Sequence, residues 1–450
     1  MAINTLSLPL RLAFIGVWAV VSYFLGQGLV EQPDTQLGLF MLLFFAGLWM
    51  TEIVPLPISA LLVPVVAALI QVLDFAKGMS NFSSTIIFLF MGGFTLAALL
   101  NNYGIDRWLA ERVTYLAGGR LWVSVILFFS VVSFLSMWMS NTSTTAMMLP
   151  IAIGLIDKKY PRMRTFVVLG TAYAANIGGL ATVVGSPPNG IAAEALDLDF
   201  LTWMKVGLPS TVMLFPAVLF SMWLIIRPEK DAQVNQSRGN GFEMDWSPQA
   251  KGAIALFVFT VVCWIFAKPI GQFLDVKGFD RLIAVAITAA APALGLIGWK
   301  ELEKKIDWGI LLLFGGGICL SMILKDTGTS AWLAGNIMTS LSEAPSWLLI
   351  IACIAFMIFL TEMASNTGSA AILIPVMIAL ADQFNPAITY SLVFGVGVAA
   401  TCAFMLPVAT PPNALAYGTG EVKQGQMLKA GMVLNIISIF VVYFSVSAFA

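Results

Sequence analysis

The sequence predicts an all-α polytopic membrane protein: about 11 transmembrane helices plus two re-entrant hairpins in an inverted-topology repeat, with two broken helices. Three observations predict it. Of the 450 residues, 59% are hydrophobic and only 10% charged, where soluble domains carry about 25% charged residues, so most of this chain has lipid for a solvent. Several uncharged stretches reach the roughly 18 residues needed to cross about 30 Å of hydrocarbon. Finally, the chain repeats itself. Ser140-Asn141-Thr142 returns as Ser365-Asn366-Thr367, 225 residues on, and its neighbourhood returns with it: GSPPNGIA (185–192) as ATPPNALA (409–416), and FLFMGGFTLA (88–97) as LLFGGGICLS (312–321). Internal repeats fix the architecture.

Residues 1–36 hold the first transmembrane helix, drawn over 8–30. Its apolar run is long for a signal-peptide core and lacks a small-residue cleavage site, so it reads as a retained span. Repeat 1 covers 37–230. It has spans at 37–50, 58–74 and 83–101, an amphipathic surface segment at 104–118, a re-entrant hairpin at 121–157, a broken helix at 165–192 and a span at 204–226. A polar stretch then supplies the cytoplasmic linker, 231–250. Repeat 2, 251–450, follows the same plan: spans at 251–270, 281–298 and 308–325, a surface segment at 329–342, a hairpin at 346–382, a broken helix at 388–417 and a last span at 430–450. The hairpins are drawn re-entrant because the arms after the tips, 144–156 and 368–381, make only about 20 Å of helix, short of the hydrocarbon thickness.

Charge orients this plan. With the N-terminus in the cytoplasm, seventeen of the 23 Lys and Arg residues fall on that face and six outside, a positive-inside asymmetry. The protein is then integral to the cell (inner) membrane, with its C-terminus outside. Five crossings separate the two Ser-Asn-Thr motifs, so the hairpins enter from opposite faces. Inverted repeats of this kind are the architecture of secondary transporters.

Several chemistries are excluded. There is no histidine, which removes His proton relays, zinc sites and Ser-His catalysis; no enzyme motif is present. Cys263, Cys319, Cys353 and Cys402 sit in apolar runs without ligand spacing and read as core residues. The net charge of −1 says nothing about partners, and no nucleic acid is expected. Gly92-Gly93 and Gly315-Gly316-Gly317 read as close helix packing, since no P-loop lysine follows. Glu52 reads as an interfacial loop residue, Glu362 as a partly wet structural one.

The chemistry lies in the four repeated motifs. Ser, Asn and Thr are favoured N-caps, and the helix each tip starts offers free N–H groups to an anion. Each PPN motif breaks an apolar span; proline frees carbonyls before it and suits the first turn of the helix after it. A broken helix thus presents carbonyls to a cation and N–H groups to an anion side by side. Hydroxyls at Ser136 and Thr361 stand one turn before each tip. Neutral oxygens at close quarters suit sodium. No Arg or Lys is expected near any of the four motifs within the membrane, so an anionic cargo would be held by helix N-termini, Asn and Thr side chains, and the charge of co-bound cations. A single Ser-Asn-Thr is an interhelical hydrogen-bonding patch and a single Pro-Pro a kink. Both, duplicated in the same order and spacing, make a site.

On these residues the sequence resembles the divalent anion–sodium symporter family, the bacterial sodium-dependent dicarboxylate transporters, over essentially the whole chain. The resemblance implies two sodium sites flanking one carboxylate substrate. The first sodium site would use Ser136, Ser140, Asn141 and the Gly185 region; the second, Thr361, Ala364, Asn366 and the Ala409 region. The substrate would meet Asn141, Thr142, Asn366 and Thr367, with Ser186, Pro187, Thr410 and Pro411 nearby. It also implies a homodimer in membrane lipid, an elevator-type mechanism, and a C4-dicarboxylate such as succinate, fumarate or malate carried with at least two Na+. Citrate or sulfate as cargo, and sodium-independent dicarboxylate exchange, remain open.

Overall fold

The computed structural model describes residues 7–116, 118–235, 244, 246–341 and 344–449. Part of the expected linker, including Arg238 of the basic face, lies outside the described residues. Among the described residues there is no β-strand, only an isolated bridge between Ile156 and Val234. In chain order the helices begin with α1 (Leu8–Leu29), α2 (Pro33–Thr51), α3 (Leu56–Leu69), α4 (Phe75–Ser80), α5 (Thr85–Asn102) and α6 (Ile105–Leu116). Next come α7 (Leu121–Ser136), α8 (Asn141–Leu155), α9 (Pro161–Gly178), α10 (Pro187–Ala195), α11 (Phe200–Ile226), α12 (Pro248–Ile265), α13 (Ala267–Leu274) and α14 (Phe279–Ala293). The rest are α15 (Trp299–Lys305), α16 (Trp308–Asp326), α17 (Thr329–Leu341), α18 (Ser346–Thr361), α19 (Asn366–Phe384), α20 (Thr389–Ala399), α21 (Pro411–Gly418) and α22 (Gln424–Phe449).

Among the described residues, eight helical stretches are long and apolar enough to cross a membrane, by length and composition. The chain is therefore an all-helical integral membrane protein. The two expected hairpins are present as α7–α8 and α18–α19, and the two expected breaks fall between α9 and α10 and between α20 and α21. Local chemistry sets the starts. Pro161 opens α9, where its missing N–H would be unpaired anyway, and Asp199 caps α11 by accepting the Thr202 N–H at 2.7 Å. Three hairpin arms, α7, α8 and α18, are 15 or 16 residues long, about 22–24 Å. The fourth differs from expectation. The α19 helix runs on past Ala381 to Phe384, 19 residues in all, because the following Pro386 comes late; it reaches about 28 Å.

The chain forms two compact units. One comprises Met1–Ile87, Ile191–Asp197 and Trp308–Ala400; the other, Phe88–Gly190, Leu198–Asp307 and Thr401–Ala450. Each unit draws segments from both sequence repeats. In the first, α2 receives α1 through the Trp18 Nε1 donor to the Leu43 carbonyl (3.1 Å), and buried Trp49 donates to Ser59 Oγ at 3.1 Å. In the second, α9 is buried on every side from Met163 to Gly178, packed among α7, α8, α11 and α21. Polar groups on such a helix need partners, and Tyr173 donates its hydroxyl to the Phe404 carbonyl at 2.6 Å.

The glycine runs pack helices closely, as expected, and they do so symmetrically. A Cβ on Gly316 would lie 2.6 Å from the Cβ of Ala60 in the first unit; one on Gly92 would lie 2.6 Å from the Cβ of Ala284 in the second. Both pairs recur at the repeat offset of 224, and each pair joins one repeat to the other. Glu52 caps the end of α2 in a left-handed conformation and is exposed, the loop position expected. Glu362 departs from expectation: it is buried, not partly wet. None of the four cysteines is in a disulfide; three are buried and Cys353 is half-buried.

Candidate cation and anion site

The first tip is built by four residues, Met137 to Ser140, between α7 and α8. Ser140 caps α8 by accepting the Ser143 N–H at 3.2 Å, and its hydroxyl donates to Ser143 Oγ at 2.8 Å. That hydroxyl caps the helix and keeps one lone pair beyond it. One turn back, Ser136 Oγ donates to Asn141 Oδ1 at 2.7 Å. Gly179, just past α9, faces the same amide. A methyl there would overlap Asn141 Oδ1 and lie 2.9 Å from the Gly185 carbonyl oxygen. Ser136, Asn141 and Gly185 thus border one small volume in the second unit. Thr182 fastens the break to the tip, accepting the Gly185 N–H at 3.1 Å and donating to the Met137 carbonyl.

The second tip repeats this in the first unit. Ser365 caps α19 by accepting the Gly368 N–H at 3.4 Å. Thr361 Oγ1 lies 2.5 Å from Asn366 Oδ1 and 2.9 Å from the Ala400 carbonyl oxygen. One hydroxyl proton here faces two acceptors, so three oxygens converge with lone pairs to spare. A monovalent cation resolves such an excess. Ala364 is buried beside the tip. Ala409, which the sequence grouped with these residues, belongs to the other unit.

The orientation of the two tip amides is informative. In each, Oδ1 is turned to the hydroxyl one turn back, while Nδ2 donates to no described residue, and Asn141, Thr142, Asn366 and Thr367 are all partly exposed. One amide can therefore face a cation with its oxygen and an anion with its nitrogen. Among the described residues no three Asp, Glu, Cys or His side chains gather as metal ligands, so any cation held here is held by neutral oxygens.

The PPN motifs do something the sequence did not reveal. Asn189 Nδ2 donates to the Gly179 and Thr182 carbonyls, both at 2.8 Å; Asn413 Nδ2 donates to the Ala403 and Leu406 carbonyls, both at 3.1 Å. The offsets are ten and seven residues back in each case. Four of the carbonyls at the breaks are thus partnered by the motif's own asparagine, while the Gly185 and Ala400 carbonyls face the tip oxygens. The breaks are tied together as well: Asn176 Nδ2 donates to Thr410 Oγ1 (3.2 Å) and Asn413 Oδ1 (3.3 Å), and the Ser186 and Thr401 hydroxyls pair at 3.2 Å. Ser186 and Thr410 are buried; Pro187 is partly exposed and Pro411 exposed, each opening the helix after its break. The signal for Asn189 and Asn413 was present as the invariant third letter of a duplicated motif; Asn176 had none.

Outside the membrane, polar contacts anchor these elements. Glu229 accepts the Arg162 and Met163 N–H groups at 3.2 and 2.7 Å. Burial pushes its carboxyl up, yet these hydrogen bonds hold it below the usual range. Buried Arg164 pairs with Glu421, whose carbonyl accepts Thr165 Oγ1 at 2.7 Å, joining the start of α9 to the loop before α22. A cavity of about 260 Å³ lies beside the first tip, bordered by Asn101, Ser140, Ser143, Lys305 and Asp307. A lysine therefore does stand at a tip, brought from sequence far away.

Comparison with known proteins decides the lineage. A family model described as the citrate transporter family matches residues 46–389 and 282–450, which together cover most of the chain. The chain belongs to the citrate transporter family. Within reach of this family, the sodium-dependent dicarboxylate transporter SdcS of Staphylococcus saprophyticus is 31% identical over 462 residues, 92% of this chain and 87% of SdcS. An uncharacterized transporter of Haemophilus influenzae is 39% identical over 424 residues, 91% of each chain. Among solved structures, Neisseria gonorrhoeae MtrF, described with a class of antimetabolite efflux pumps, aligns with TM-score 0.51 and 13% identity, covering 86% of this chain and 85% of MtrF; that likeness concerns the fold. The resemblance read from the paired motifs is borne out, and this citrate transporter family member is a membrane transporter of the citrate/dicarboxylate class.

Proposed function

We propose that the protein is a sodium-coupled symporter that brings C4-dicarboxylates such as succinate, fumarate or malate into the cell. The observation that carries this is the duplicated tip amide, with its oxygen among neutral oxygens and its nitrogen unspent. In this reading Na+ is cargo. One ion is held by Ser136, Asn141 and Gly185 with Ser140 adjoining; another by Thr361, Asn366 and the Ala400 carbonyl with Ala364 adjoining. The carboxylates accept from the Asn141 and Asn366 amides and the Thr142 and Thr367 hydroxyls, near Ser186-Pro187 and Thr410-Pro411. Cation binding comes first, since it supplies a positive field beside the tips. Two sodium ions with a dianion move no net charge; a third makes uptake electrogenic, worth about 2.3 kcal/mol per 100 mV.

The same reading has the protein work as a homodimer in the inner membrane, with its N-terminus cytoplasmic, by an elevator-type alternating-access mechanism and without enzymatic chemistry. The name of SdcS supports sodium and dicarboxylate. The family's name favours citrate as the second candidate cargo. Reconstituted vesicles test both, with succinate, citrate and sulfate offered in turn with and without a sodium gradient. Expected is succinate uptake that collapses when the gradient is removed, and loss of that uptake in Asn141→Ala and Asn366→Ala proteins that still fold. Succinate uptake indifferent to sodium would overturn the proposal.

A further inference from the structure

The cavity beside the first tip joins residues from three distant stretches of the second unit. Asn101 ends α5, Ser140 belongs to the tip and Ser143 to the first turn of α8, and Lys305 ends α15, with Asp307 just beyond. Asn101 bridges two side chains: its Oδ1 accepts from Lys305 Nζ at 3.2 Å, and its Nδ2 donates to buried Asp106 at 3.3 Å. It holds the ammonium in place. Lys305 has three N–H donors and spends one on Asn101; Glu301, 3.6 Å away and half-exposed, is a loose ion pair. Ser143 accepts from Ser140, which leaves the Ser143 proton free to donate. The wall therefore offers an ammonium and a hydroxyl to one small volume, next to the capped start of α8.

That donor set selects an anion. At about 260 Å³ the cavity falls below the roughly 300–1,000 Å³ of sites for drug-sized ligands, which suits a small one. Asp307, engaged in its own interaction, also borders the space, and its charge opposes tight binding. Weak binding is what a station on a transport path requires, because the cargo must also leave.

We propose that this cavity is an anion vestibule, in which Lys305 Nζ and Ser143 Oγ hold a small dicarboxylate before or after it meets Asn141 and Thr142. The vestibule rests on the transport reading above and adds to it a protein cation that the sequence had ruled out. The same donors would also suit the headgroup of an anionic lipid, so the test separates the two sources.

The test is sodium-saturated exchange of labelled succinate in proteoliposomes, where both faces see substrate, with Lys305→Gln and Lys305→Arg beside the wild type. In Lys305→Gln the half-saturating succinate concentration rises about two- to fivefold, the size of one exposed ion pair. The maximal rate and the half-saturating sodium concentration stay as they are. Lys305→Arg matches the wild type, and the difference fades at about 1 M inert salt, where screening acts within about 3 Å. An unchanged half-saturation in Lys305→Gln, or Lys305→Arg behaving like Lys305→Gln, overturns the vestibule alone. So does an effect seen with phosphatidylglycerol in the bilayer but not with phosphatidylcholine only, which assigns the cavity to lipid. Wild-type vesicles that exchange no succinate at any sodium concentration sink the transport reading, and the vestibule with it.

Discussion

Replacing Asn189 by Ala removes a single amide that pairs two buried carbonyls, those of Gly179 and Thr182, each at 2.8 Å. A buried acceptor left unpaired costs about 1–3 kcal/mol, so the pair costs roughly 2–6 kcal/mol, a large part of the 5–15 kcal/mol typical of a folded domain. Asn413→Ala provides a ranked comparison. Its two hydrogen bonds are longer, 3.1 Å, and the one to Leu406 is only part-buried, so it loses less, toward 2 kcal/mol. Asn189→Asp keeps the shape but sets a carboxylate oxygen against two carbonyl oxygens, and is expected to be worse than Ala. The assay is unfolding in detergent followed by tryptophan fluorescence, with sodium titrated in. Expected is the stability order wild type, Asn413→Ala, Asn189→Ala, Asn189→Asp, with weakened sodium protection in the last two because Gly179 and Thr182, which flank the first site, lose their amide partner. An Asn189→Ala protein within about 0.5 kcal/mol of the wild type, or an Asn189→Asp protein as stable as the wild type, would show that the clamp does not hold the break.

Two further predictions follow from local geometry. Gly179 has an ordinary helical φ of −61°, so Gly179→Ala meets no backbone strain, but its methyl collides with Asn141 Oδ1. Half-saturation by sodium should rise at least tenfold, about 1.4 kcal/mol, in a protein that still folds; an unchanged sodium response would remove Asn141 from the cation site. Asp199 caps α11 and pairs with Lys268 at 2.9 Å. Burial pushes its carboxyl up, but Thr202 and Lys268 together hold it below the usual range. A depressed carboxyl contributes stability above its unfolded pKa and loses it as pH falls through the folded one. The stability gap between wild type and Asp199→Asn should therefore be constant near neutrality and close below about pH 4; a gap that widens with acid would contradict the ion pair.

Much of the architecture was written in the chain because lipid makes it so. Backbone groups in hydrocarbon must pair within their own helix, so apolar length and proline placement sufficed to draw α2, α5, α11, α16 and α22 within a few residues of where they lie. The duplicated text located both hairpin tips and both breaks for the same reason: each copy carries its own capping residues and its own PPN. The Ser136–Asn141 and Thr361–Asn366 pairs were also within reach, since each joins the end of one helix to the start of the next across a four-residue tip and so is a local contact.

What the sequence by itself determined is therefore local: which stretches are helices, where they are interrupted, and that the interruptions occur twice with the same neutral, oxygen-rich chemistry. What only the tertiary structure decided is which distant atoms share a volume. Asn176 gives no periodic or motif signal, yet burial forces it onto Thr410, more than 230 residues away. Four of the carbonyls at the breaks, those of Gly179, Thr182, Ala403 and Leu406, turn out to be occupied by the asparagine of the following PPN motif. Lys305 ends α15, far in sequence from every motif, and the fold carries it to the first tip, where a cation had been ruled out. Side-chain pairing across such separations depends on how helices pack, and packing is fixed by the shape of the whole chain, which no window of sequence contains.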